Sequence, residues 1–436
     1  MIASAQPRLS KPPAYRWWIL VANMLAYGQF FLTVQVVNAF SSTVQDQWHL
    51  ATADLALLTT VTLAGYALAS AAGGKLQTMF GARRTVVWGV VVNVLLALLF
   101  PTVVGASYEG MMALRFLQGV AGGCIASSVV SSTTLWFPVR QRGLAEGLLM
   151  GVLGFGFALA SFFAPPLLAT GMSWQFAAAV LVVVPGAIIA VVYALTVRDL
   201  GKMYPGADAI ADLLPAPSDA GEGAAGRASA GGAADAASAT APADRPSSMA
   251  QARREPRFWA AIVVGFVNGW LTYGFATLLP PLLTGNLGFS GDAVASVTSA
   301  TFVITLIASP LGGILSDRVF GGRRWPVLLL GNIVSVVALV AVPFVPHGLV
   351  TAVLVIAYAS VSLCCGTFWT LPSELVRPSI AAQSTGFITA VANIGSLLTG
   401  FALGALIDAS ASALPALFLC AGLAAVSAIA CPVIKQ

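Results

Sequence analysis

At 436 residues, 58% of them apolar and only 8% charged, the chain has a mean hydropathy of +0.89. That balance excludes a soluble globular protein, which needs far more charge on its surface. The net charge of +5 has to be explained by where Lys and Arg fall, and it calls for no nucleic-acid partner.

In chain order, a basic arm of residues 1–16 leads into a series of twelve apolar stretches. The first six are Trp17–Phe40, Leu55–Gly74, Val86–Val104, Met111–Leu135, Leu144–Ala169 and Trp174–Val197. The last six are Phe258–Leu283, Ala293–Leu315, Pro326–Val345, Leu349–Leu371, Ala382–Ile407 and Ala413–Ile434. Each is about 20 residues or more, enough at ~1.5 Å per residue to cross ~30 Å of hydrocarbon. Lipid offers no partner to a backbone N–H or C=O, so the stretches are predicted to be helices. The first is too long for the apolar core of a cleaved signal and reads as an uncleaved helix. Residues 17–197 form one six-helix bundle and residues 257–436 a second. Between them, residues 198–256 contain the run GEGAAGRASAGGAADAASATAPADRPSS, with almost nothing bulky to bury. The expectation there is a flexible linker.

All but one of the 21 lysines and arginines fall in the arm, tail and loops on the side that carries both termini. Basic residues gather on the cytoplasmic side of a membrane. The arrangement predicts a multi-pass protein of the cell (inner) membrane, its partners a lipid bilayer and a small-molecule solute, with both termini cytoplasmic. A monomer is expected. The five cysteines all lie within spans and read as small apolar residues, without disulfide or metal. GVLGFG at 151–156 lies inside an apolar helix with no strand before it, so helix packing explains it better than a nucleotide loop. His49 and His347 sit in loops on the far side, with no metal or triad constellation around them. No cofactor and no enzymatic activity are expected.

The two bundles repeat. Arg16-Trp17-Trp18 opens the first and Arg257-Phe258-Trp259 the second, and GGKLQTMFGARR at 73–84 is a worn copy of GGILSDRVFGGRR at 312–324. Trp136-Phe137-Pro138 ends the fourth span and Thr370-Leu371-Pro372 the tenth. Duplicated halves are a common way for secondary transporters to build a central cavity. The chain resembles the major facilitator superfamily over nearly its whole length apart from the linker. The family's loop pattern is met by Gly313, Leu315, Asp317, Arg318, Gly321, Arg323 and Arg324, with one extra residue before the glycine pair. In the first half Gly74, Leu76, Gly81, Arg83 and Arg84 match, while Thr78 and Met79 replace the acid and its basic neighbour. Arg115, Gly119 and Gly123 meet the family's fourth-helix pattern. The resemblance implies an all-α membrane fold of twelve helices in two pseudo-symmetric bundles around a central cavity. It implies a conformational latch at Asp317 and Arg318, against the alternative of a solvated charge cluster; with Thr78 uncharged, the gate should be lopsided.

Arg115 is the basic residue placed inside a span, where a charge costs ~2.5–3.5 kcal/mol at the bilayer centre. Three readings stand open: snorkelling to the surface, anchoring the first helix, or attracting an anionic solute. Gly119, Gly122 and Gly123 beside it would let helices approach closely. Glu146 and Glu374 lie at matching helix ends and could carry a proton or belong to the loop network. Asp54, Glu109, Asp292 and Asp408 read as caps or solvated groups at the opposite ends. By resemblance, spans one, four, seven and ten line the cavity. The candidates are Phe31, Gln35 and Asn38 on one face of span one, Asn268, Thr272, Tyr273 and Thr277 in span seven, Phe368 and Trp369 in span ten, and Asn393 in span eleven. Their amides and hydroxyls could orient a solute or merely bond helix to helix. Pro165-Pro166 and Pro280-Pro281 predict kinks.

RWWILVANML and the Gln45-Asp46 turn are similar to the oxalate/formate exchanger and monocarboxylate carrier groups. The oxalate exchangers' two membrane cations align with Ser309 and with Ala392, beside Asn393, so both are absent. A dianion would be left largely unpaired, at several kcal/mol. The sequence reading is a secondary transporter working by alternating access on a small organic solute, a monocarboxylate or related organic anion, driven by a coupled proton or counter-solute. The alternatives are an efflux carrier for amphipathic drugs or neutral metabolites, and a membrane sensor.

Overall fold

The computed structural model describes residues 9, 12–102, 107–204, 210–214, 246, 248–369, 371, 375–376 and 381–435. Within those, the side chains of residues 71–75, 78, 139–140, 142–143, 211–212, 317, 381–383, 385–386 and 389–390 are outside the description. Among the described residues there is no strand. The long helices are α1 (Tyr15–Ala39), α2 (Thr52–Phe80), α3 (Ala82–Ala97), α4 (Tyr108–Trp136), α5 (Val139–Ala169) and α6 (Trp174–Thr196). The second set is α7 (Pro256–Pro281), α8 in two pieces (Gly291–Val303 and Thr305–Arg318), α9 (Trp325–Ala341), α10 (His347–Phe368), α11 (Ala381–Ser410) and α12 (Leu414–Ala430).

Eleven of these are long and apolar enough to cross a membrane. The remaining one, α3, has 16 residues and continues in hydrogen-bonded turns to Phe100. The predicted span Val86–Val104 thus begins four residues late, because Ala82-Arg83-Arg84 already belong to the helix. Proline does what its missing N–H dictates. After Pro280-Pro281 the chain loosens into a π-helical turn, Leu282–Asn286, and α8 carries Pro310 in its second piece.

Burial is inverted relative to a soluble protein. Trp88, Leu195, Phe344 and Ile429 are exposed on the outside, whereas Asn23, Asn93, Arg115 and Gln118 are completely buried. Apolar side chains facing lipid lose nothing, while polar groups must find partners inside. Close helix contact is set by glycine: a Cβ on Gly119 would stand 1.9 Å from the Thr62 carbonyl oxygen, and one on Gly123 would stand 2.4 Å from that of Tyr66. These contacts press α4 against α2, as the spacing in α4 predicts.

The linker departs from expectation at its flanks. Leu200, Ile210 and Leu213 are buried in the core, Tyr204 packs its ring on Trp136, and Leu9 N–H donates to the Leu213 carbonyl at 2.8 Å. The Ala/Gly/Ser-rich run lies outside the described residues.

Candidate functional site

Among the described residues, two cavities between the bundles lie one above the other. The central cavity, about 460 Å³, runs from Phe31 and Tyr273 to Ser131, Glu146 and Trp369 near the helix ends on the termini side. Its size suits a small organic molecule. Five predicted site residues line it: Phe31, Asn268, Tyr273, Trp369 and Asn393, together with Thr272 and Phe368. Asn268 Nδ2 donates to the Val361 carbonyl at 3.3 Å, and Trp369 Nε1 donates to Cys365 Sγ at 3.4 Å. These bonds fix side chains from α7 and α10 at the cavity wall.

The sequence reading missed a tyrosine pair. Tyr27 and Tyr66 line the cavity with their hydroxyls 2.9 Å apart. Tyr27 stands one turn before Phe31, so the same face of α1 signals it. Tyr66 belongs to α2, outside the four helices expected to form the wall. Ser127, Ser131 and Ser396 also contribute hydroxyls. Glu146 is part of the lining, with its Oε1 accepting from Thr134 Oγ1 at 3.2 Å; its counterpart Glu374 lies outside the described residues.

Gln35 and Asn38 do not join Phe31. They line the second cavity, about 210 Å³, toward the far side, so the single predicted face of α1 serves two chambers. Asn38 Nδ2 donates to Gln35 Oε1 at 3.4 Å and its Oδ1 accepts from Thr59 Oγ1 at 3.2 Å.

Arg115 lines neither cavity. One guanidinium nitrogen, Nη1, donates to the Thr33 carbonyl at 2.5 Å and the other, Nη2, to that of Val34 at 2.7 Å, with Gln118 Oε1 3.4 Å from Nη1. Of the three readings left open by the sequence, this is the geometry of an anchor for α1. The fully buried side chain does not snorkel. Ser309, where the oxalate exchangers carry an arginine, is buried against Gly366 of α10, while Ala392 and Asn393 do face the central cavity.

The bundles meet tightly on the far side. A Cβ on Gly404 of α11 would come within 2.7 Å of Ala53 Cα there, while at mid-depth one on Gly154 of α5 would come within 2.3 Å of the Phe302 carbonyl oxygen. Asp408 was expected to be a cap or a solvated group, and it is a cap: its carboxylate accepts from Thr52 N–H at 3.0 Å and from Ala53 N–H at 2.7 Å, the free amides at the start of α2. One bundle therefore caps a helix of the other, where the unpaired N–H groups and the dipole favour a negative charge.

The loops on the termini side differ between halves. In the first, Gly81 adopts φ +86° and the Asp199 carboxylate accepts from Arg83 N–H at 2.9 Å. The Arg83 guanidinium also reaches the Ala194 carbonyl, tying the loop to α6, and Arg84 is exposed. In the second, Gly321 and Gly322 are both left-handed, Ser316 Oγ donates to the Arg323 carbonyl at 3.2 Å, and Arg324 Nη1 donates to Ser316 Oγ at 3.0 Å. Gly313 has open space around it and Arg318 is exposed. The side chains of Gly74's neighbours, of Thr78 and of Asp317 are outside the described set.

The family model of the Major Facilitator Superfamily matches residues 19–399 and again 261–434. The chain belongs to the major facilitator superfamily. Among its relatives, the probable sulfoacetate transporter SauU of Cupriavidus necator is 22% identical over 417 residues, covering 91% of this chain and 88% of that protein. The hexuronate transporter of Bacillus subtilis is 23% identical, covering 89% and 87%. The probable nitrate/nitrite transporter NarK2 of Mycobacterium tuberculosis is 25% identical, covering 69% and 65%. Among solved structures, a bacterial homologue of the human lysosomal transporter Spinster, inward-facing and occupied, superimposes with a TM-score of 0.66. It shares 18% identity and covers 98% of this chain and 95% of its own, a likeness of fold.

Proposed function

We propose that this superfamily member is a secondary transporter of a small organic anion, a monocarboxylate foremost, that reaches the central cavity alternately from the two membrane faces. The observation that carries the reading is the cavity between the bundles, walled by Tyr27, Tyr66, Asn268, Trp369 and Asn393 and closed on the far side by α2 against α11. Hydrogen bonds from such neutral donors to a carboxylate contribute about 1.5–3 kcal/mol each, enough to orient a monoanion. That relatives are named as sulfoacetate and hexuronate transporters supports an anion. The termini side is the cytoplasmic one in this reading, since it gathers the basic residues. Asp317 and Arg318 act there as the latch, and the chain works as a monomer.

A proton or counter-solute gradient drives the cycle, with Glu146 as the proton carrier on the cavity wall. The second reading, a carrier of neutral or amphipathic solutes, is favoured by one observation: no Lys or Arg is among the described lining of the central cavity.

Uptake of radiolabelled lactate into proteoliposomes, with and without an inward proton gradient, tests both. Competition by formate and acetate but not by glucose supports the monocarboxylate; competition by sulfoacetate, a dianion, as strong as theirs would shift the reading to a broader organic anion. Competition by glucose alone supports the second reading. Glu146→Gln should keep lactate exchange and lose gradient-driven accumulation.

A further inference from the structure

The two chambers are separated by a single layer of rings. Phe157 of α5 packs on Phe31 at 6.1 Å, on Tyr273 at 6.1 Å and on Phe302 at 5.2 Å between ring centroids, so α1, α5, α7 and α8 each supply one ring. One helical turn farther toward the far face, ~5.4 Å, each of the same helices supplies a polar side chain to the outer chamber. Gln35 follows Phe31, Ser161 follows Phe157 and Thr277 follows Tyr273; on α8, which runs the other way, Thr298 precedes Phe302. Four helices from both bundles thus repeat one arrangement, a ring at the septum with a neutral hydrogen-bonding group above it.

Much of that polar ring is bonded to itself. Gln35 Nε2 lies 3.5 Å from Ser161 Oγ, and Asn38 closes on Gln35. Two threonines stand outside that network, Thr277 and Thr298, and Thr298 is the more deeply buried. It is 3% exposed, it lines the chamber, and its hydroxyl has no hydrogen-bond partner. A helical threonine ordinarily satisfies itself on the carbonyl of the preceding turn. A buried hydroxyl left without a partner is costly unless something else supplies one.

We propose that the outer chamber is a second solute station, where Thr298, Ser161 and Gln35 receive the carboxylate before the Phe157 layer parts and passes it to the central cavity. This rests on the anion-carrier reading. The donors are neutral, so the station holds a monoanion loosely enough to release it inward. A hydroxyl with no task other than packing would be replaced without loss by valine, which has the same shape.

The test is sided uptake of radiolabelled formate, acetate, lactate and sulfoacetate into oriented proteoliposomes, using whichever is moved fastest. Thr298→Val should raise the half-saturation concentration from the far face by about ten- to a hundredfold, the value of one hydrogen bond to a charged group. Half-saturation from the termini face should stay unchanged, which also shows that the variant is folded. Asn393→Ala, in the central cavity, should raise it from both faces. If Thr298→Val leaves far-face half-saturation as it was, or raises both faces equally, the second station is overturned while the carrier stands. If none of the four anions is moved in either direction, the anion reading and the station fall together.

Discussion

The two bundles descend from one pattern yet are held together differently. In the first, polar bonds converge on α1. Asn23 Nδ2 donates to Thr133 Oγ1 at 3.0 Å and its Oδ1 accepts from Tyr193 hydroxyl at 2.7 Å, joining α1 to α4 and α6. Asn93 Nδ2 of α3 donates to Gln29 Oε1 and Thr33 Oγ1, both at 3.1 Å, and Arg115 grips the same helix from α4. In the second bundle the bonds converge on α10 and, apart from the Asn268 amide on the Val361 carbonyl at 3.3 Å, are made by hydroxyls and sulfur. Tyr358 hydroxyl reaches the Thr272 carbonyl at 3.3 Å, Ser360 pairs with Ser335 at 2.7 Å, and Ser362 with Thr305 at 3.1 Å. Asn332 Nδ2 meets only sulfur outside its own helix, at 3.8 Å from Cys364 and 4.0 Å from Cys431.

Aligning Arg16 with Arg257 puts buried Val264 in the place of Asn23, and aligning Pro138 with Pro372 puts lipid-exposed Leu349 in the place of Arg115. Duplication thus kept the helix plan while the polar ties diverged. Ties formed by amides and a guanidinium resist relative sliding of helices more than hydroxyl pairs do. In the proposed alternating access, the first bundle would then move as a stiff unit against a more compliant second one.

The largest way to break this contrast is at Arg115. Arg115→Met removes charge-assisted bonds of about 1.5–3 kcal/mol each, and should sharply lower the yield of folded protein and the thermal midpoint in detergent; Arg115→Lys cannot fork over two carbonyls and should rescue only in part. Next comes Asn23→Leu, which strands the Tyr193 hydroxyl at about 1–3 kcal/mol. Asn23→Leu should be visible as a lower melting temperature, whereas exchanging Val264 for Ala acts only through a small cavity. Between the loops, Asp317→Asn should cut initial uptake much more than Thr78→Ala; equal losses would erase the lopsided gate. Smallest is Asn332→Leu, about 1 kcal/mol or less by chemical or thermal unfolding, since its amide meets no strong acceptor outside its own helix. A large loss there would show that the second bundle also depends on an amide centre.

How far the sequence led depended on the kind of constraint. Twelve helices and the position of the basic loops were legible because lipid punishes every exception. The cavity residues were half legible. The face shared by Phe31, Gln35 and Asn38 is real, but sharing a face fixes direction around the axis and not depth along it. Seven residues rise ~10 Å, which carries Asn38 across the ring layer into the other chamber. Tyr66 was missed because its helix was assigned to the periphery. Which helix Asp408 caps was unreadable for another reason: it sits in the last turn of α11, where the dipole offers an acid nothing, and its partners lie 355 and 356 residues away. Arg115 could be narrowed to three roles from its place in a span, and only the two carbonyls of α1 distinguish them.

The central claim, one cavity opened to each face in turn, is tested most directly at Cys365, which lines that cavity. In a chain whose other four cysteines are alanine, a membrane-impermeant thiol reagent is added to one face at a time in oriented vesicles. The account predicts labelling from either face, slowed by transported solute. Asp408→Asn, which weakens the far-side cap, should quicken far-face labelling by about two- to fivefold, corresponding to about 0.3–1 kcal/mol. Labelling from one face alone, unaltered by solute and by Asp408→Asn, would contradict it.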